Sequence, residues 1–545
     1  MFYIAILWEK IGKCIAILTT ALSYENNLLN KHLQESVRME FFKNTGSIGK
    51  GLFLQYYSVG SQLISGTIFY VIITRLFSTY MVGAIALFVA IIGLFNILFT
   101  FGLSTAAQHY ISYYLGNDDV GSAKKLVRKI LTLGLIFSLI GCCVLFVSGS
   151  LISLIFFHSP VFINLVRLLG LVLLGTVLFS ILNGVLLGLQ YFSLSGIISG
   201  IIWILYYLFA ILFAFLTHEI SAIVIGWILG ITIGVCMETV LLLKYLLKYP
   251  QGGTETNSQY IIKYSIPVLF SSLIFYGATY ADRFILASLL NLSVLGIYNL
   301  ALLVATSLNF IVFPFNNILL PKFSQWYSKD LQYLVKSIFR ASGLLLSAVF
   351  VPIAIMTIAL SPLILSLFGG PEYLRGAIPM DIIILVIAIF IQQNLITQVL
   401  AAIKLTNLFI LTSSVSLTIN IIFSFWLTPL FGMIGAAIGL SSVYVSGFML
   451  LYHFGAKNNI LEFAILGVVK VWIASGFLYL AIRISMFILG QEIILIPLYL
   501  MIGLITYVVT FRILRVFSEK DKIIIFSYIP LKNTKLSGLF RRMVR

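Results

Sequence analysis

The stretch Tyr264–Arg340, which reads YADRFILASLLNLSVLGIYNL over residues 280–300, is written twice in this chain. Its first copy runs from about Gly51 to Arg128. Setting Gly83 over Gly296 fixes an offset of 213 (296 − 83) and lays Leu76 on Leu289, Leu87 on Leu300, Tyr110 on Phe323, Tyr113 on Trp326 and Tyr114 on Tyr327. One residue is then lost, and at an offset of 212 Lys124 meets Lys336 and Arg128 meets Arg340. The copies share apolar spans, an aromatic exit and a basic start to the next span. A period of this length is far beyond that of a solenoid and reads as two homologous half-proteins.

The medium in which these halves fold is set by composition. Of 545 residues, 61% are hydrophobic and 9% charged, against a charged share of about 25% in soluble domains. Apolar runs of about 20 residues, each enough to cross hydrocarbon as a helix, recur from Gly51 to Thr510. They are continuously apolar and lack the in-out alternation of barrel strands, so the expected class is an all-α membrane protein. The spacing predicts about fourteen spans, near 51–74, 82–103, 130–156, 162–187, 195–216, 220–243, 264–290, 294–320, 340–367, 378–402, 407–427, 431–452, 468–489 and 492–512. The second copy begins six spans after the first. An even shift means that both copies enter from one side, as two parallel bundles related by an axis along the membrane normal. The expected organisation is an extension at 1–38, six-helix bundles at 39–243 and 264–452, two added spans at 468–512 and a basic cytoplasmic tail at 515–545 resting on anionic headgroups. For the extension, either an interfacial helix or a start at Met39 is compatible with the residues, and a complete short polar lead, Glu40 to Lys50, favours Met39.

The net charge of +17 does not point to nucleic acid, because the basic residues sit in short loops and tails and not on one folded face. With both termini cytoplasmic, the inner connections carry fourteen Lys and Arg (Lys124, Lys125, Arg128, Lys129, Lys244, Lys248, Lys263, Lys322, Lys329, Lys336, Arg340, Lys404, Lys457, Lys470) and the outer ends four (Arg75, Arg167, Arg375, Arg483). That bias is the positive-inside pattern and sets the orientation; the expected location is the plasma membrane. Cys14, Cys142, Cys143 and Cys236 form neither a disulfide framework nor a zinc spacing, and the five histidines have no pair at ligand spacing, so no metal or other cofactor is expected. Gly46–Gly51 lacks the spacing of a nucleotide-binding loop, which argues against ATP as the direct driver. Phe101-Gly102 and Phe313-Pro314 fall at nearly equivalent points of the repeat and are expected to kink spans 2 and 8, although glycine also serves close helix packing.

Ionisable groups inside a bilayer are costly and mark function. Asp282 and Arg283 are the clearest case here. Adjacent helical residues point about 100° apart, so each requires its own partner on another helix, in water or on a ligand. Arg75 ends span 1 at a similar outer depth. Arg75 and Arg283, one from each half, are candidates for a phosphate-binding pair, since a guanidinium suits bidentate contact with phosphate; snorkelling to the headgroups is the structural alternative. Asp282 is the candidate for ion pairing or coupling. Gln62, Gln392, Gln393 and Asn394 are candidates for lining a cavity, as are His109 and Lys322 at equivalent cytoplasmic ends of spans 2 and 8. Glu238 belongs with the polar groups that line a cavity or bond between helices, and Asp381 is placed at the interface.

Thr74-Arg75-Leu76-Phe77, Val82-Gly83, Phe101-Gly102-Leu103-Ser104, Tyr113-Tyr114-Leu115-Gly116, Asp282-Arg283-Phe284-Ile285-Leu286 and Leu295-Gly296-Ile297-Tyr298-Asn299-Leu300-Ala301 resemble the oligosaccharide-lipid flippases of the multidrug/oligosaccharidyl-lipid/polysaccharide exporter superfamily, over roughly Met39 to Arg515. The resemblance implies a monomeric carrier, not an enzyme. It would move a polyprenyl- or dolichyl-linked phosphate or pyrophosphate glycan from the inner to the outer leaflet by alternating access, beside membrane lipids and glycan-biosynthesis enzymes. A multidrug and toxin extrusion antiporter would share the two bundles but favour an acidic cavity, and the buried balance here leans basic. A polytopic glycosyltransferase or glycan ligase would require catalytic groups on a sizeable outer loop, which this chain lacks.

Overall fold

The computed structural model describes residues 34–117, 119–248, 258–328 and 331–518, and every described element is helical. Residues 1–33 of the extension at 1–38, on which the question of a start at Met39 turns, and residues 519–545 of the basic tail at 515–545 lie outside the described residues. The helices are α1 (Gln34–Leu76), α2 (Thr79–Thr100), α3 (Leu103–Gly116), α4 (Val120–Phe156), α5 (Ile163–Gly188), α6 (Phe192–Thr217), α7 (Ile220–Lys248), α8 (Ser258–Leu289) and α9 (Leu292–Ser307). They continue as α10 (Phe313–Ser328), α11 (Gln332–Ala359), α12 (Ser361–Gly369), α13 (Ala377–Ile389), α14 (Gln393–Ala402), α15 (Asn407–Phe431), α16 (Met433–Lys457), α17 (Ile465–Leu489) and α18 (Ile496–Ile513). Thirteen of the described helices are long and apolar enough to cross a membrane, and fourteen spans result when the pair Pro371–Ile389 and Gln393–Ala402, bent by 44°, is taken as one. The surface is correspondingly apolar: Phe487, Ile494 and Val147 are 90%, 85% and 79% exposed, which suits lipid and not water.

Two compact units divide these helices. One holds the chain up to Leu76 together with Phe88–Leu273, and the other holds Phe77–Leu87 with the chain from Ile274 onward.

In the first unit, small residues let helices approach closely, as they must where apolar lipid gives no hydrophobic drive to association. Gly226 and Gly230, four apart on α7, lie against the backbone of Ala210 and Tyr206 on α6, and Trp227 stacks parallel on Tyr206 with ring centroids 5.5 Å apart. Cys142 packs on Gly170 of α5, and Cys142, Cys143 and Cys236 are free thiols. Asp119 caps α4 by accepting a hydrogen bond from the Ser122 amide at 2.9 Å. Hydrogen bonding by the Ser122 side chain and amide holds the Asp119 carboxyl below its usual range.

The breaks fall where the backbone demands them. Between α2 and α3, Phe101 and Gly102 both take positive φ, 50° and 69°, and a side chain on Gly102 would press on the Ser265 carbonyl at 2.6 Å. The expected kink is therefore a full break, and span 2 ends at Thr100. In the repeat's second copy the break comes earlier than Phe313-Pro314. A short 3-10 turn, Leu308–Ile311, ends α9, and Pro314 is the second residue of α10, where its missing N–H costs no helical bond. The bent span breaks between Ile389 and Gln393, and Gln392 is buried there.

In the second unit, the two C-terminal helices dock on α11 through a cluster that includes Leu344, Ala348, Val351, Leu478, Ile482, Tyr499 and Tyr507. The Tyr507 hydroxyl donates to the Ala348 carbonyl at 2.7 Å. The first turns of α2 cross the start of α9 with almost no separation: a Cβ on Gly83 would overlap the Leu292 carbonyl oxygen, and one on Gly296 the Thr79 carbonyl oxygen.

Candidate functional site

Asp282 and Arg283 sit in the last two turns of α8, flanked by Ala281 and Phe284 and with no other charged residue in the helix after Lys263. The Asp282 side chain is fully buried. Its Oδ2 accepts a hydrogen bond from the Tyr298 hydroxyl at 2.7 Å, while Oδ1 is buried without a partner. Tyr298 reaches it from α9 because the intervening turn is tight: Asn291 caps α9 by accepting from the Val294 amide at 3.0 Å. One turn before Asp282, Asn420 of α15 donates to the Ala278 carbonyl at 2.9 Å, which ties α8 to a third helix.

Arg283 is half-buried and turns the other way. Nη1 donates to the Thr279 carbonyl, four residues back, at 3.0 Å. The guanidinium carbon lies 4.0 Å from the centroid of the Tyr280 ring, which itself stacks on Tyr276 at 4.2 Å with an interplanar angle of 7°. Helical side chains lean toward the N-terminus, and Tyr276, Tyr280 and Arg283 at i, i+4 and i+7 share one face. A snorkelling arginine would extend toward the nearby helix end at Leu289. This one folds back over an aromatic stack that suits a cation.

Each of the other sequence candidates has its own surroundings. Arg75 is exposed in the last turn of α1, and Gln62 is half-buried three to four turns earlier. His109, exposed on α3, stacks face to face with Tyr264 at 5.1 Å. Lys322 is half-buried, its Nζ 5.9 Å from the Trp326 ring centroid. Gln392 donates to the Ser347 hydroxyl at 3.0 Å and to the Gly343 carbonyl at 3.4 Å, so its amide joins the bent span to α11. Asn394 donates to the Ile391 carbonyl at 3.3 Å, and Gln393 keeps a buried Oε1 with no partner. Asp381 accepts from the Ser361 hydroxyl at 3.1 Å. Sequence reasoning missed Tyr298, Tyr280 and Tyr276 as partners of the charged pair; their spacing from Arg283 along α8 was the available signal for the last two.

The Tyr298 contact is open to direct measurement. Tyr298→Phe leaves a second Asp282 oxygen buried without a donor, and an unsatisfied buried acceptor costs about 1–3 kcal/mol. The purified variant is expected to unfold at lower temperature than the parent, and a double-mutant cycle with Asp282→Asn should show coupling. Equal stability of Tyr298→Phe and parent would remove this hydrogen bond from the account.

Residues 72–377 match the family described as polysaccharide biosynthesis protein. The chain belongs to that family. No curated protein sequence matches it. Among solved structures, a lipid II flippase, MurJ, in an inward closed conformation superposes with a TM-score of 0.68 at 16% identity, covering 85% of this chain and 98% of that one. An inward-facing multidrug resistance MATE family transporter of the MOP superfamily superposes at 0.61 with 13% identity, over 73% of this chain and 94% of that one. A MOP superfamily transporter from Pyrococcus furiosus, described as having a binding pocket of reversed polarity, superposes at 0.52 with 11% identity, over 75% and 95%. At such identities the likeness is one of fold. This member of the polysaccharide biosynthesis family is thus a multi-pass, all-α membrane protein whose fold is similar to that of MOP superfamily transporters.

Proposed function

We propose that the protein flips a lipid-linked oligosaccharide, a glycan on a polyprenyl or dolichyl phosphate or pyrophosphate, from the inner to the outer leaflet of the plasma membrane by alternating access, for cell-surface polysaccharide or glycoprotein biosynthesis. The observation that carries this reading is Arg283, a guanidinium turned away from its helix end and laid over Tyr280, within a family of polysaccharide biosynthesis. Thr279 takes one of the five N–H donors of that guanidinium, and the remainder suit a phosphate. The same role is proposed for Arg75. The two sequence halves, 39–243 and 264–452, serve as the moving bundles, with both termini cytoplasmic as the Lys and Arg bias requires.

Reconstitution tests it. In vesicles holding the purified protein and a short polyprenyl pyrophosphate that carries a fluorescent saccharide, an impermeant quencher reports how much label has crossed. Translocation above that of protein-free vesicles is expected. Efflux of an organic cation such as ethidium, with no movement of the lipid-linked saccharide, would instead support the multidrug antiporter reading suggested by the second structural likeness.

A further inference from the structure

In the first unit, a polar network crosses four helices where lipid-facing apolar residues surround it. Glu238, on α7 within the span Ile220–Leu243, is fully buried. Its Oε1 accepts from Asn183 Nδ2 of α5 at 3.3 Å, and its Oε2 is buried without a partner. The same Asn183 amide donates to the Ser199 hydroxyl of α6 at 2.6 Å. Asn183 Oδ1 accepts from Ser195 at 3.4 Å, and the Ser195 hydroxyl accepts from Gln55 of α1 at 3.1 Å, which also donates to the Phe192 carbonyl at 3.0 Å.

A carboxylate taken wholly out of water with a single amide partner has almost nothing to offset its charge. Neighbouring charges do not supply the balance. On the helices packed against α7, the titratable groups are Arg167 of α5 and Tyr206 and Tyr207 of α6. Arg167 lies sixteen residues from Asn183, or about 24 Å along the helix, and Tyr206 seven residues from Ser199, or about 10 Å. Tyr57 of α1 rests on Gly200, next to Ser199. On α7 itself the nearest such groups are Cys236 and, six residues on, Lys244. The Asn183 amide, and not its oxygen, faces Glu238 and Ser199, an arrangement that suits a neutral acid better than a bound metal ion.

We propose that Glu238 is a proton-coupling carboxyl: it is loaded in the conformation described here, and it releases the proton to water when the Asn183–Ser199–Ser195 network parts. The proton leaves Oε2 as hydronium and returns the same way, so no other reactant is required. That loading and release drive glycan movement rests on the function proposed above; the binding of the proton does not.

The test is infrared titration of the full-length protein in nanodiscs of phosphatidylethanolamine and phosphatidylglycerol. A carbonyl band of a protonated carboxyl group is expected to bleach as pH rises, to vanish in Glu238→Gln, and to survive in Asp381→Asn. The glutamine carbonyl still accepts from Asn183, so the variant keeps the contact and loses only the proton. If Glu238→Gln is not monodisperse by size exclusion, Glu238→Asp serves instead and should move the midpoint of the titration. Three results overturn the proposal: a titrating band that Glu238→Gln leaves intact, no band that responds to pH, or a band bleached at fixed pH by sodium and not by potassium. The last would make the network a sodium site. A second arm follows labelled lipid-linked glycan in vesicles under an imposed pH gradient, where Glu238→Gln should abolish the dependence on the gradient. If the band behaves as expected and no lipid-linked glycan moves even with the parent protein, the substrate reading fails and the proton site stands.

Discussion

Alanine at Gly83 is expected to cost the protein most of its folded yield. A single methyl group there would overlap the backbone carbonyl oxygen of Leu292, with the carbonyl carbon at 2.7 Å and the Gly296 nitrogen at 3.0 Å. Side chains can swing aside, but a helix backbone cannot, so α2 and α9 would have to separate along their whole crossing. Overpacking a core typically costs about 1–3 kcal/mol, and a clash with backbone belongs at the upper end. Gly296→Ala, which meets the Thr79 carbonyl in the same way, should behave alike. Gly476→Ala has open space around it and should leave stability unchanged, which makes it the control. Thermal unfolding in detergent, read as the monodisperse fraction surviving heating, decides the matter: parental stability of Gly83→Ala would mean that the crossing is looser than the geometry shows.

Replacing Arg283 should give the largest loss of transport from any change that leaves the fold intact. A charge-assisted hydrogen bond is worth about 1.5–3 kcal/mol, so Arg283→Ala is expected to lower apparent affinity for the lipid-linked glycan by about one to two decades. Arg283→Lys should recover part of this, because an ammonium restores the charge without the planar fork that grips phosphate and loses the flat stacking on Tyr280. Arg75→Ala, measured separately, should also impair transport. The assay is quencher-protected fluorescence in reconstituted vesicles, with size exclusion to establish that each variant is folded. Parental rates in both alanine variants would return these residues to the role of headgroup anchors.

The spans were legible in the sequence because hydrocarbon leaves a chain few options: backbone groups must bond internally, and twenty apolar residues say helix. The break at Phe101-Gly102 was also legible, since glycine tolerates the positive φ found there. Its counterpart at Leu308–Ile311 was not. Those four residues carry no breaker, and Pro314 marks the start of the next helix instead of the end of the last. For the site, a charge inside an apolar run announces itself, so Asp282 and Arg283 stood out. Tyr298 did not, because tyrosine is ordinary at membrane interfaces and its pairing with Asp282 depends on how tightly α8 and α9 are joined. Gln392 was legible as polar and buried, but its bonds to Ser347 and Gly343 follow from the bend in its own span, which no local pattern announces.

The crossing of α2 and α9 has one more property. Thr79 and Leu292 stand 213 residues apart (292 − 79), as do Gly83 and Gly296 (296 − 83). Gly83 lies on Leu292 while Gly296 lies on Thr79. Contacts in which one position meets a second, and the second's twin meets the first's twin, are what identical subunits make across a two-fold axis. The crossing therefore has the form of a homodimer seam written within a single polypeptide. In a homodimer a single codon sets both sides of such a contact at once; in this chain Gly83 and Gly296 have a codon each, and either can be lost alone.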